Sequence, residues 1–198
     1  MHFCCFFCCI LLQYTCMDFE LKIIKFLQAN ASPNWINFFQ AITLFGSLLG
    51  FAIVFCILFV KKRKLSYVFA VAFAIASVAN FALKMLIARQ RPFDVDSDII
   101  NYGQESGFSM PSGHSMSAAF FATFVCFLCY KMTKRISTKA LCTTCCILFT
   151  CLIAFSRMVL GVHYLTDTIA GIFVGVLFAI TAILVYNRYI IKPSRKKE

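Results

Sequence analysis

Apolar runs about as long as a bilayer is thick restrict this chain to one kind of fold. They extend from about Ile36 to Val60, Leu65 to Ala88, Pro111 to Lys131, Ala140 to Phe155 and Tyr164 to Tyr186. Roughly 20 apolar residues in a helix cross the hydrocarbon core. Only helices and closed barrels satisfy the backbone there, and these runs lack the alternation of barrel strands. The expectation is an all-α, polytopic transmembrane bundle of five or six spans. Composition agrees, with 61% hydrophobic and 14% charged residues, whereas a soluble domain is nearer half apolar and a quarter charged.

Charge sets the orientation. The net charge is +11, and 13 of the 19 Lys and Arg fall in three segments: Lys61 to Lys64, Lys131 to Lys139, and the tail from Arg188 to Lys197. An excess this lopsided marks the cytoplasmic side of an integral protein of the plasma (inner) membrane. Membrane lipids, not nucleic acid, are the expected partners of such basic ends. With those ends inside, the ends at Ala88, Pro111 and Ser156 share the extracytoplasmic face, and they carry the unusual polar residues.

The chain divides at about residue 35. Residues 1–35 are expected to hold an N-terminal extension or short first span, followed by an interfacial helix. Phe3 to Leu12 is apolar but too short to span, and no basic n-region or cleavage site marks a signal peptide. Met17 would make a natural chain start. From Asp18 to Ala29 apolar and charged residues interleave as in an amphipathic helix lying at the interface. Ala31 to Asn34 breaks it, and Trp35 stands where an aromatic anchor is expected. Residues 36–198 form one membrane domain with a basic cytoplasmic tail. Five spans leave the N-terminus outside; a sixth within residues 1–16 returns it to the cytoplasm.

The chain has 12 cysteines, nearly all in or beside apolar runs, where cysteine behaves as a small hydrophobe. Cys142-Thr-Thr-Cys145 is a CxxC without a partner pair or flanking histidine. No metal site is expected from it. The acids Asp94, Asp96 and Asp98 read as a solvated loop.

Three polar clusters occupy the far face. Lys84 is followed seven residues on by Arg91-Pro92, about two helical turns apart, so both cations can share one side. Pro111-Ser112-Gly113-His114 opens an apolar run; serine there caps a helix, and the free N–H groups of the first turn attract an anion. Arg157 precedes His163 and Asp167. If the chain is helical from Tyr164 on, His163 and Asp167 stand four apart on one face, and the carboxylate can orient the imidazole. Taken singly, each cluster is also ordinary structure: snorkelling cations, an N-cap, a His–Asp tie between helices. Together they offer three cations, a helix N-terminus and two histidines, which suit a multiply charged phosphate. One histidine could attack phosphorus while the other protonates the leaving oxygen.

Lys-x6-Arg-Pro, Pro-Ser-Gly-His and Ser-Arg-x5-His-x3-Asp, in this order, resemble the three signatures of the type-2 phosphatidic acid phosphatase superfamily. The superfamily holds membrane lipid phosphatases and soluble vanadium haloperoxidases. The resemblance covers roughly residues 36 to 187 and implies a haloperoxidase-like helical core. It implies His163 as the nucleophile of a phosphohistidine intermediate, Asp167 as its orienting partner and His114 as general acid, then base. Lys84, Arg91, Ser112, Gly113 and Arg157 would hold the phosphate oxygens, with no metal and no cofactor. The implied substrate is a lipid phosphate or diphosphate: polyprenyl diphosphate, phosphatidic acid or phosphatidylglycerophosphate. The same residues would serve a phosphotransferase with a non-water acceptor, and a non-enzymatic membrane protein could keep a vestigial anion site. The spans exclude a soluble haloperoxidase.

Overall fold

The structure, a computed structural model, describes residues 17–191. The expectations for residues 1–16 and for the tail beyond 191 lie outside the described residues. Within them the chain is helical: α1 (17–29), α2 (Pro33–Thr43), a 3-10 turn (Leu44–Gly46) and α3 (Leu48–Lys61) come first. Then follow α4 (Arg63–Ile87), the short α5 (Pro92–Val95), α6 (Gly113–Met132), α7 (Ile136–Val159) and α8 (Leu165–Val185), which ends in a π-helical turn (Tyr186–Ile191).

Four of these helices, α4, α6, α7 and α8, are long and apolar enough to cross a membrane, and the α2–α3 pair makes a fifth if it counts as one span. That pair departs from the straight span expected between Ile36 and Val60. Its two parts are bent by 44°. The break lies at Ser47, whose backbone is extended at φ −126° and ψ −150° and whose hydroxyl donates to the Leu44 carbonyl at 2.6 Å. Hydropathy does not report it, because leucine and phenylalanine flank the break on both sides. Its consequence is positional: Gly46 lies so close to α6 that an added Cβ would stand 3.1 Å from the His114 carbonyl oxygen.

α1 packs one side against the bundle. Leu21 and Ile24 are buried against Ile99, Met158 and Tyr164, while Phe19 and Phe26 face outward. Lys25 pairs with Asp96 and Asp98 at 2.8 and 2.9 Å, so the acidic loop is partly tied to α1. The Asp96 carboxyl is held below its usual range mainly by the hydrogen bond from Lys25.

Two packings hold the bundle under the site. Phe69, Phe73, Phe120, Phe121 and Phe124 from α4 and α6 form a contiguous aromatic core, with ring centroids 5.0 to 6.4 Å apart, in the range of attractive edge and offset contacts. On the other side of α6 lies α8, where Gly171 and Gly175 repeat every fourth residue. An added Cβ at either would come within 2.4 and 2.2 Å of the Ser112 and Met116 carbonyl oxygens. Small residues at that spacing let two membrane helices meet backbone to backbone. The result docks the N-terminus of α6 against that of α8.

Candidate active site

The far-face helix ends converge. Helix α4 stops at Ala88, which is left-handed at φ 48°, so Lys84 sits in its last turn and the chain beyond turns across the bundle. The Lys84 ammonium donates to the carbonyls of Phe108 and Ser109 at 2.8 and 3.0 Å. Arg91 is buried and fully engaged: Nε donates to Gly107 at 2.9 Å, Nη1 to Val162 at 2.9 Å, and Nη2 to Ser106 at 3.0 Å. Arg157, in the last turn of α7, is equally buried and donates from Nη1 to the Thr43 hydroxyl at 2.8 Å.

Ser112 caps α6 as its spacing predicts. Its hydroxyl accepts from the Ser115 N–H at 3.4 Å and the Ser115 hydroxyl at 3.1 Å, so it serves the helix end. Gly113 and His114 open the helix, where N–H groups lack intrahelical partners.

His163 and Asp167 do meet, but not as one face of a helix. His163 precedes α8, and Tyr164, extended at φ −76° and ψ 163°, is the N-cap. Asp167 folds back to accept the Tyr164 N–H at 2.9 Å. The same oxygen, Oδ2, accepts the Ser109 hydroxyl and lies 3.6 Å from His163 Nδ1. Ser109 Oγ is itself 3.3 Å from Nδ1. The imidazole is thus oriented by a carboxylate and a hydroxyl together, and Nε2 is the ring nitrogen left for other work. Burial pushes the His163 pKa down to about 4; the Asp167 hydrogen bond opposes this and the Arg157 charge adds to it. The ring is therefore neutral at ordinary pH, the state in which an imidazole is able to act as a nucleophile.

A cavity of about 320 Å³ opens here, lined by Lys84, Glu105, Gly113, His114 and His163 together with Asn80. The buried Asn80 Oδ1 has no hydrogen-bond partner. Arg91 and Arg157 stand behind Glu105, whose carboxylate bonds to both at 3.2 and 2.7 Å. Asp167 stands behind His163, and Ser112 caps the helix that Gly113 and His114 open. Every residue singled out from the three clusters is in this one region, in two shells around the cavity.

Several participants were not legible as site residues. Arg89, between Lys84 and Arg91, donates to Asp167 and to Glu20 of α1 at 2.7 and 2.8 Å. Glu20 also accepts the Thr166 N–H at 2.7 Å. The one available signal was an acid among the lysines of an interfacial helix. Thr43, Asn80, Glu105 and Ser109 carried none. Away from the site, Cys126, Cys142 and Cys146 place their sulfurs within 4.8 Å of one another between α6 and α7. Only Cys142 of the CxxC takes part, Cys145 standing apart, and the trio is the one metal-capable grouping among the described residues.

Comparison with known proteins shows the family and the fold. A family model described as the PAP2 superfamily matches residues 63–191. A lipid A 4'-phosphatase of Bacteroides thetaiotaomicron is 27% identical over 80% of this chain and 72% of its own length. Phosphatidylglycerophosphatase B of Bacillus subtilis is 32% identical over 60% of this chain and 57% of its own. An undecaprenyl-diphosphatase of Sulfolobus acidocaldarius is 27% identical over 60% and 54%. The crystal structure of a transmembrane PAP2-type phosphatidylglycerolphosphate phosphatase from Bacillus subtilis superposes with a TM-score of 0.75 at 25% identity, covering 87% of this chain and 86% of that one. Aquifex aeolicus LpxE shares the fold, with a TM-score of 0.69 at 21% identity over 83% of this chain and 94% of that one.

Proposed function

This chain belongs to the PAP2 superfamily, and from that premise we propose that it is a metal-independent membrane phosphatase of lipid phosphates or diphosphates. Its relatives act, by their names, on lipid A, phosphatidylglycerophosphate and undecaprenyl diphosphate, which supports a lipid-borne phosphate as the substrate class. The observation that carries the reading is the cavity that His114, His163 and Lys84 line together, from three separate helix ends.

The chemistry follows from what each group is free to do. His163 Nε2 attacks phosphorus while Nδ1 is held by Ser109 and Asp167. The bond from phosphorus to the leaving oxygen breaks, and that oxygen takes a proton from His114. His114, now neutral, accepts a proton from water as the water oxygen attacks the phosphohistidine; the N–P bond breaks and inorganic phosphate leaves. Lys84, the free N–H groups of Gly113 and His114, and the guanidinium groups of Arg91 and Arg157 offset the charge that develops on the phosphoryl oxygens. The site lies at the helix ends away from Lys61, Lys131 and Arg188, which supports an extracytoplasmic location. A lipid headgroup bound at those helix ends would keep its tail in the bilayer.

The test is phosphate release by purified protein from polyprenyl diphosphate, phosphatidic acid and phosphatidylglycerophosphate in the presence of chelator. Release from at least one, lost in His163→Ala, is expected, with a trapped phosphohistidine at position 163. No release from any of the three, or unchanged release by His163→Ala, would overturn the reading.

A further inference from the structure

The phosphate seat already holds an anion, and it belongs to the chain. Glu105 places Oε1 2.7 Å from Arg157 Nη2 and 3.5 Å from His114 Nδ1, and Oε2 3.2 Å from Arg91 Nη2. These are three of the groups to which the phosphatase reading assigns the substrate phosphate, and a carboxylate presents two oxygens to guanidinium groups much as phosphate does. The placement is built. Asn101 clamps the Glu105 backbone from both sides, donating from Nδ2 to its carbonyl at 2.9 Å and accepting its N–H at 3.2 Å. Gln104, just before it, takes a left-handed φ of 52°, uncommon for a residue with a Cβ. Gly107, two residues after it, sits at φ 71° with open space around it. The side chain is 27% exposed and lines the cavity, so an incoming ligand can reach it.

We propose that Glu105 is a specificity residue: a resident carboxylate that a dianionic phosphate displaces and a monoanionic phosphodiester does not. The inference rests on the phosphatase reading and names the charge class its site accepts. A phosphate monoester carries close to two negative charges near neutral pH, whereas a phosphodiester headgroup carries one. Exchanging the carboxylate for a diester leaves the charge on the two guanidinium groups as it was and removes Glu105 from its partners. Exchanging it for a dianion gains a full charge against both. Phosphodiester lipids surround any such site in a bilayer, so an open pair of arginines would be occupied by them. Rejecting them takes a competitor that is always present, and a side chain on the site's own loop is one.

The probes are inorganic phosphate and dimethyl phosphate, titrated calorimetrically at pH 8 into the detergent-solubilised full chain, with phosphate release measured in parallel. Wild type is expected to bind inorganic phosphate at least roughly tenfold more tightly than dimethyl phosphate. Glu105→Gln, which keeps shape and loses charge, is expected to bind dimethyl phosphate roughly tenfold more tightly than wild type does and so to narrow that ratio. Phosphatidylglycerol in mixed micelles is expected to become a competitive inhibitor of the variant alone. Equal affinity of wild type for the two anions overturns the proposal, with no variant needed. So does unchanged dimethyl phosphate affinity in both Glu105→Gln and Glu105→Ala. A wild type that neither binds inorganic phosphate nor releases it from lipid fails at the earlier step, the phosphatase reading itself.

Discussion

Arg89 Nη1 donates to Asp167 Oδ1 at 2.7 Å while its Nη2 reaches Glu20 Oε2 at 2.8 Å. One guanidinium thus joins α1 to the carboxylate behind His163. It lies with its carbon 3.8 Å from the centre of the Tyr164 ring, a position a cation over an aromatic face favours. With Oδ1 held there, Oδ2 is left for Ser109 and His163.

Arg89→Lys should therefore lower kcat without a matching rise in KM. A lysine offers a point charge where two carboxylates need a planar fork. The expected loss is roughly tenfold, or about 1.4 kcal/mol of activation free energy. Glu20→Gln should show the same pattern more weakly, since the amide still accepts the Thr166 N–H. Steady-state kinetics on folded variants separates this from a binding defect; a pure KM effect would contradict it.

The depressed His163 pKa sets a pH window. Folded, the ring titrates near 4 because it is buried; unfolded, near its ordinary 6.5. Between those values the unfolded chain binds a proton that the folded chain does not, so stability rises with pH. The contribution is complete above 6.5 and lost by 4. Denaturation of wild type and His163→Gln from pH 4 to 7 should show a steeper slope for wild type. Activity should keep its nucleophile deprotonated down to about pH 4, with no acid limb near 6.5 from this group.

Thr43→Val should weaken the hold on phosphate. The hydroxyl is the partner of Arg157 Nη1, and Nε of that arginine already lacks one. Losing a buried hydrogen bond to a charged group costs roughly 1.5–3 kcal/mol. A roughly tenfold or larger rise in KM and in the inhibition constant for orthovanadate is expected.

Gly171→Ala should act on geometry. The added methyl would meet the Ser112 carbonyl oxygen at 2.4 Å, a backbone atom that cannot swing aside. Overpacking of this kind costs roughly 1–3 kcal/mol. Because Ser112 begins the helix of His114, thermal stability and kcat should fall together.

Activity should survive EDTA at millimolar excess. The positive charge at the cavity comes from Lys84, Arg91 and Arg157, and the nearest acid is already paired with two of them. Loss of activity on chelation, restored by a divalent ion, would show that a metal takes part.

The spans and the three clusters were legible because each is written locally, in runs of apolar residues or in a few adjacent positions. What tied the clusters together was not. Glu20 meets Arg89 across 69 positions and Thr43 meets Arg157 across 114, and no local pattern encodes such pairings. The break at Ser47 was hidden by leucine and phenylalanine on both sides. His163 and Asp167 meet at the four-residue spacing read from the sequence, through an N-cap turn and not along one face of a helix.

The family match starts at Arg63, yet Glu20, Thr43 and Gly46 all reach into the candidate site from before it. A chain trimmed to the matched segment would retain every signature and lose the outer struts of Arg89 and Arg157. For this architecture, then, a minimal fragment is not a minimal enzyme. Chimaeras that exchange residues 17–62 between relatives would alter catalytic tuning while leaving each reacting atom native.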